Sequence, residues 1–302
     1  MEDWGARPMA LTEQQWESHR LHRQQWVEDT GMWLGLADEN GVPLFTCPRP
    51  VEFKAPATRG APVSGRFLFP VISEEGLVHP IADELIADFG VTKNGALVPS
   101  TGATRYVVAE FAGGVRRFYR VSHAVARGDD AAPSLVEANG SDGLTMLNRL
   151  IAFSSPPRVG TEFREFTRDW IGDQHEGKLY ETPRELADWK MTTVADGATL
   201  DGPAVDVLTT VIKSSIETAF RVWGKPQSWH VSSASTGLKS PYIAYTADDN
   251  YLWDSVGAIA LQAGVSVDMR LWWPGDPQPP GVPVADRPQF VIDVQQTQEV
   301  AG

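Results

Sequence analysis

Met32, Leu34 and Leu36 fall on one side of an alternating run, with Trp33 and Gly35 on the other, the two-residue period of a strand. Asn40 and Gly41 follow as a hairpin turn, and residues 42–47 return as the partner strand. Further strands are expected over residues 51–54 and 66–71, either side of the Pro- and Gly-rich span 55–65. Residues 105–111 and 115–126 read as a second hairpin about Gly113 and Gly114, and residues 134–138 as one more short strand. Between these hairpins Pro80 stands where a first helical residue would. Ile81, Leu85, Ile86 and Phe89 share a face at helical spacing, with Asp83 and Glu84 in the first turn and Gly90 as the stop.

The helices on either side differ in pattern. Thr12 with Gln15 three residues later is a capping box, opening a helix that runs to about Asp29. Between Trp16 and Trp26 lie mostly Glu, His, Arg and Gln, so its apolar stripe is thin. Such a helix does not hold itself together in water, and it is expected to be an arm docked on a partner or on its own chain. Asp142 caps a short helix carrying Leu144, Leu147, Leu150 and Ile151, stopped by Pro156 and Pro157. Residues 162–190 mix charged and aromatic side chains without a clean period. Asp201 and Pro203 start a longer helix with Val205, Leu208, Ile212, Ile216, Phe220 and Trp223 inward and Gly224 at its end.

The last unit has the clearest pattern. Asp248 or Asp249 caps a helix whose Leu252, Val256, Ile259, Ala260 and Ala263 share a face, and Gly264 ends it. Val265, Val267, Met269, Leu271 and Trp273 then alternate with Ser266, Asp268, Arg270 and Trp272, a strand with one wet face. A proline-rich turn begins at Pro274, and Phe290, Ile292 and Val294 return as the partner strand. The fold class expected is α+β. An N-terminal helical arm covers residues 1–30, a β-rich domain with one embedded helix 31–140, a mostly helical insertion 141–230, and a helix–strand–strand closing unit 231–302.

Composition narrows the function. In 302 residues, 39 acidic against 26 basic side chains leave a net charge of −13, which disfavours a generic binder of phosphate backbones. Cys47 is the only cysteine, so no disulfide within the chain and no thiolate zinc cluster is expected. No apolar run approaches the roughly 20 residues of a membrane span. The start, Met1-Glu2-Asp3-Trp4, lacks the basic flank of a secretory signal, so synthesis in a cytosol is expected. Eleven tryptophans are an excess that points to extensive contacts, with Trp16, Trp26, Trp33 and Trp272 as candidate interface residues.

The search for chemistry finds no catalytic, metal or cofactor residues to name. There is no GxxxxGK[ST] loop, no GxGxxG after a strand and no GxSxG elbow. His175-Glu176 lacks the second histidine of a zinc protease. His19 and His22 lie three apart, but no carboxylate motif supports a shared metal, and a solvated helix face is the better reading. Asp248 and Asp249 are better read as helix caps than as acid–base catalysts. Two acids from distant loops leave no local motif, so a hidden glycosidase pair stays open.

Several stretches resemble the tail-hub proteins of long-tailed phages infecting actinobacteria, the minor tail proteins. They are Met32 to Gly41, Arg66-Phe67-Leu68-Phe69-Pro70, Phe118-Tyr119-Arg120-Val121, Val136 to Gly140, and Asp249-Asn250-Tyr251-Leu252-Trp253 through Leu271 to Asp276. The resemblance implies β-barrel or sandwich domains with helical insertions, similar to the hub of contractile phage tails. It implies a homotrimer at the tail tip of the virion, closing the tail tube beneath a ring of distal tail protein. It also implies attachment of fibres or receptor-binding proteins, contact with the tape-measure protein, and no cofactor. Any envelope-cleaving module is expected as a separate protein. DNA passes through such a lumen without specific binding, and contact with the host envelope is possible. The alternatives are a distal tail ring or receptor-binding subunit, an envelope-degrading hydrolase, and a carbohydrate-binding module with Trp272 and Trp273 as its platform.

Overall fold

The computed structural model describes residues 11–72, 76–86, 92–93, 96–97, 103–128, 133–152, 162–168, 179–188, 199–246, 249–298 and 300. Helix α1 (Glu13–Thr30) opens on the expected capping box: the Thr12 hydroxyl accepts from the Gln15 N–H, and the Gln15 side chain accepts from the Thr12 N–H. Gly31, at φ +84°, turns the chain out of the helix in the left-handed conformation. β1 (Met32–Ala37) and β2 (Pro43–Thr46) form the first hairpin, followed by β3 (Glu52–Lys54), β4 (Ser64–Pro70) and helix α2 (Ile81–Ile86). The short pair β5 (Thr92–Lys93) and β6 (Ala96–Leu97) precedes β7 (Tyr106–Phe111), β8 (Val115–Gly128) and β9 (Pro133–Ser141).

These strands build a seven-stranded sheet in the order β2-β1-β7-β8-β9-β4-β3, antiparallel at every pairing. It is open, with β2 and β3 at its edges, and the described strands close no barrel. Both faces are covered, which is why β1 is buried along almost its whole length rather than at alternate positions. Leu34, Leu36, Phe67, Phe69, Val107 and Tyr119 pack towards Ile81 of α2 and the buried thiol of Cys47. Trp33, Ala37, Tyr106, Val108 and Phe118 point the other way into a larger core.

The later chain follows, and parts of it cover that second face: α3 (Gly143–Leu147), β10 (Glu162–Arg168), β11 (Leu179–Asp188), β12 (Thr199–Pro203), α4 (Ala204–Trp223), β13 (Trp229–Val231), β14 (Tyr242–Thr246), α5 (Leu252–Gln262), β15 (Val265–Trp272) and β16 (Gln289–Gln296). β16 pairs with β15 antiparallel and with β13 in parallel, and this three-stranded sheet with α3, α4 and α5 closes the larger core. The unpatterned span 162–190 contains an antiparallel hairpin, β10 with β11. No helix among the described residues is long and apolar enough to cross a membrane.

Helix starts differ from the expectation in two places. Asp201 lies inside β12, paired with β14, so α4 starts only at Ala204; there Ser240 accepts from the Val205 N–H at 3.0 Å. Asp248 lies outside the described residues, and Asp249 sits before α5 at φ +58°. The first turn of α5 is capped from elsewhere: the Asn148 Oδ1 accepts from the Asp254 N–H, and the Asn148 amide donates back to the Asp254 carboxylate, each at 3.1 Å. Trp223, expected inward, is half exposed at the last turn of α4, before Gly224 ends the helix.

Candidate functional site

α1 is held by charge. Its buried residues are Trp16 and Arg23, and Arg23 points into the protein at 1% exposure. Three other charged side chains meet it there: Glu110 near the end of β7, Arg116 near the start of β8, and Asp276 in the turn after β15. The hairpin turn at Gly113 and Gly114, both at positive φ, is what sets Glu110 and Arg116 opposite each other in register.

Glu110 accepts from Arg23 at 3.0 Å and from Arg116 at 2.7 and 2.9 Å. Asp276 accepts from Arg23 at 3.0 Å and from Arg116 at 2.6 Å, and also from the Trp273 N–H at 3.0 Å. Arg116 donates once more, to the Leu271 carbonyl at 3.0 Å. Two guanidinium groups and two carboxylates thus neutralise one another out of water, an arrangement that tolerates burial because each charge finds both a counter-charge and hydrogen bonds. Burial pushes the Asp276 carboxyl up, but Arg116 and then Arg23 outweigh it and hold it below the ordinary carboxylate range.

Aromatic rings cover one side of the cluster. Trp273 is fully buried, and the Arg116 and Arg23 guanidinium groups lie 4.1 and 4.5 Å from its ring centroid. Its indole N–H donates to the Gly41 carbonyl at 2.7 Å, tying the β1–β2 turn to the end of β15. His19 stands edge-on to Trp273 and Trp33, with ring centroids 5.0 and 5.5 Å away. Its Nδ1 lies 2.6 Å from Arg23 Nη1; a guanidinium only donates, so Nδ1 is unprotonated and Nε2 carries the proton. Burial first, then the charges of Arg23 and Arg116, push the His19 pKa down to about 3. His19 therefore does not lie on a solvated face; it lines the docked side of α1. His22 contacts the Thr46 hydroxyl at 3.1 Å, and the described residues hold no group of three or more potential metal ligands.

The tryptophans expected as contact surface divide unevenly. Trp16, Trp33 and Trp272 are 3%, 1% and 4% exposed, so the chain packs them against itself. Trp272 was expected on the wet face of β15, but the proline-rich turn folds back over it: its indole N–H donates to the Pro277 carbonyl, and Val282 and Val291 cover its ring. With Trp273 also buried, neither ring offers a sugar platform. Trp26 is 38% exposed and tilts against His22 on the outer side of α1.

Arg23, Glu110, Arg116 and Asp276 were not visible as a set. Their one sequence signal is the spacing of Trp16, His19, Arg23 and Val27 along one helical stripe, which mixes aromatic, basic and aliphatic residues. A search for apolar periodicity passes over such a stripe.

No family model matches the chain, and none of the curated proteins matches it. Among solved structures it is similar to a tail protein from Neisseria meningitidis MC58, with 9% identity and a TM-score of 0.34 over 87% of this chain. The chain spans about half of that protein's length, 50%.

Proposed function

We propose that the chain is a structural subunit of a bacteriophage tail, the tail-tip hub that closes the tail tube, and that it is not an enzyme. The sequence resemblance, spanning about Met32 to Val294, suggests the assembly. The observation that carries a structural role is the Arg23–Glu110–Arg116–Asp276 cluster. Both carboxylates accept from both arginines, so four largely buried charged groups bind α1, the β7–β8 hairpin and the turn after β15 into one body. A general acid needs a carboxyl that keeps its proton near the working pH, whereas the Arg116 and Arg23 charges hold Asp276 ionised.

In this reading three copies surround the lumen beneath the distal tail ring, meet the tape-measure protein and hold fibres or receptor-binding proteins. The net charge of −13 suits a conduit whose wall does not retain passing phosphates. The open edges β2 and β3 suit strand-to-strand contact with neighbours. A reconstruction of the tail containing this chain tests the assignment: three copies at the tip support the hub, and six in a ring make it the distal tail protein. Incubation of the purified chain with peptidoglycan and arabinogalactan tests the rest, and turnover of either would overturn the non-enzymatic reading.

A further inference from the structure

Beside the first turn of α1 the chain leaves a groove of about 780 Å³, bounded on its far side by the proline-rich turn after β15. Leu11, Trp16, Trp272, Pro274, Val284 and Ala285 give it an apolar lining. Val284 is 87% exposed, an aliphatic side chain standing in water at the lip. The Trp16 indole N–H has no partner among the described residues, but it is itself buried and is not offered to the groove. Carboxylates supply the groove's charge, and among the described residues no lysine or arginine lines it. Asp276 is neutralised by the buried arginines and Glu17 by Arg20, whereas Glu13 and Asp286 have no cation beside them among the described residues.

We propose that this groove receives an extended peptide segment of a partner protein, one that alternates basic with apolar residues. Its apolar side chains pack on Leu11, Pro274, Val284 and Ala285. Its lysines or arginines meet Glu13 and Asp286 at the rim. Charge selects this occupant over two others. A second copy of the chain, at net −13, is repelled from an acidic rim, and residues 1–10 bring Glu2 and Asp3 against a single Arg7. The groove stands whether or not the chain is a tail subunit.

The test is a titration of the full-length chain into a short fluorescent peptide that alternates lysine with leucine and proline, read by anisotropy. The same peptide with glutamate in place of lysine is the comparison. The lysine peptide is expected to bind about tenfold tighter, and the Glu13→Gln/Asp286→Asn double variant to weaken it by about fivefold or more, from two screened ion pairs. Val284→Ser is expected to weaken both peptides. All three positions are exposed, so unchanged melting curves separate lost binding from lost folding. Equal affinity for the two peptides, or no loss in the variants, overturns the proposal. An affinity that rises about tenfold on deleting residues 1–10 also overturns it, because the occupant is then the chain's own N-terminus. Self-association abolished by Val284→Ser overturns it in favour of a second copy.

Discussion

Arg23 donates to the Glu110 carboxylate at 3.0 Å across 87 positions of sequence, and this bond ties the middle of α1 to the end of β7. Arg23→Met removes one of two cations from a buried set of four charges and leaves Glu110 and Asp276 facing Arg116 alone. Breaking a buried pair from one side costs about 3–5 kcal/mol. The urea midpoint of Arg23→Met should fall accordingly, and protease should cut α1 first. Arg20→Met, which breaks an exposed pair with Glu17 three residues away, should leave the midpoint unchanged.

The same cluster sets a pH dependence through His19. Its folded pKa, about 3, lies below the ordinary 6.5 of an unfolded histidine, so between these values the unfolded chain binds a proton that the folded chain refuses. The stability this neutral imidazole confers is full above pH 6.5 and falls with pH down to about 3, with a slope approaching about 1.4 kcal/mol per pH unit. Asp276, held below its ordinary 3.8, adds a loss of the same sign at the acid end. His19→Gln keeps a hydrogen-bond acceptor for Arg23 but cannot titrate. Its stability curve, followed by urea titration at each pH, should be flatter than the parent's between pH 6.5 and 3; an equally steep curve would place the titrating group elsewhere.

Most elements of this fold were legible in the chain, and the way they are joined was not. The alternation from Met32 to Leu36, the turn at Asn40 and Gly41, and the strand from Val265 each arise from local spacing and turn chemistry, so each could be read locally. The docking of α1 could not, because it is made by arginine and carboxylate partners from β7, β8 and a distant turn. The tryptophan excess was legible as contact, but whether a ring meets its own chain or another depends on tertiary placement. Trp33 and Trp273 sit in T-shaped contact at 5.8 Å although 240 positions separate them in the numbering, and no local pattern announces that.

Asn148 gives a local instance of the same point. It caps α5 from the end of α3, where sequence reading placed an aspartate just before the helix. Asn148→Ala should cost about 1 kcal/mol, the usual loss when an N-terminal helix donor is left without its side-chain acceptor. Asn148→Asp keeps the acceptor for the Asp254 N–H but sets a second carboxylate against Asp254 in place of the amide donor. It should therefore fall below the parent at neutral pH and recover as the pair is protonated, in thermal melts at two pH values.

Two glycines separate backbone strain from crowding. Gly31 and Gly41 both have positive φ, +84° and +81°, which a side chain pays for in either case. A methyl at Gly31 meets nothing within 4 Å, so Gly31→Ala should cost only the left-handed penalty of about 1–2 kcal/mol. At Gly41 the same methyl lies 2.7 Å from Leu271 Cδ1 and 3.3 Å from Pro288, and the Gly41 carbonyl is the acceptor for Trp273. Gly41→Ala should lose about 3 kcal/mol or more. Comparable denaturation midpoints for the two variants would show that the β1–β2 turn yields more easily than its contacts imply.

Tryptophan substitutions distinguish rings that hold the chain together from a ring free to meet another. Trp33→Ala and Trp272→Ala remove buried rings and should each cost about 3–5 kcal/mol. Trp26 is on the outer side of α1, where its loss should change stability by less than about 1 kcal/mol. If α1 is the face by which a tail subunit meets its neighbour, Trp26→Ser chains should fold normally yet be depleted from particles assembled with parent chain in competition. The tightly docked underside of α1 makes this a clean measurement, because Arg23 and Trp16 keep the helix in place whatever stands at position 26. Equal incorporation of the two chains would remove the outer face of α1 from the assembly and leave the open strand edges β2 and β3 to make it.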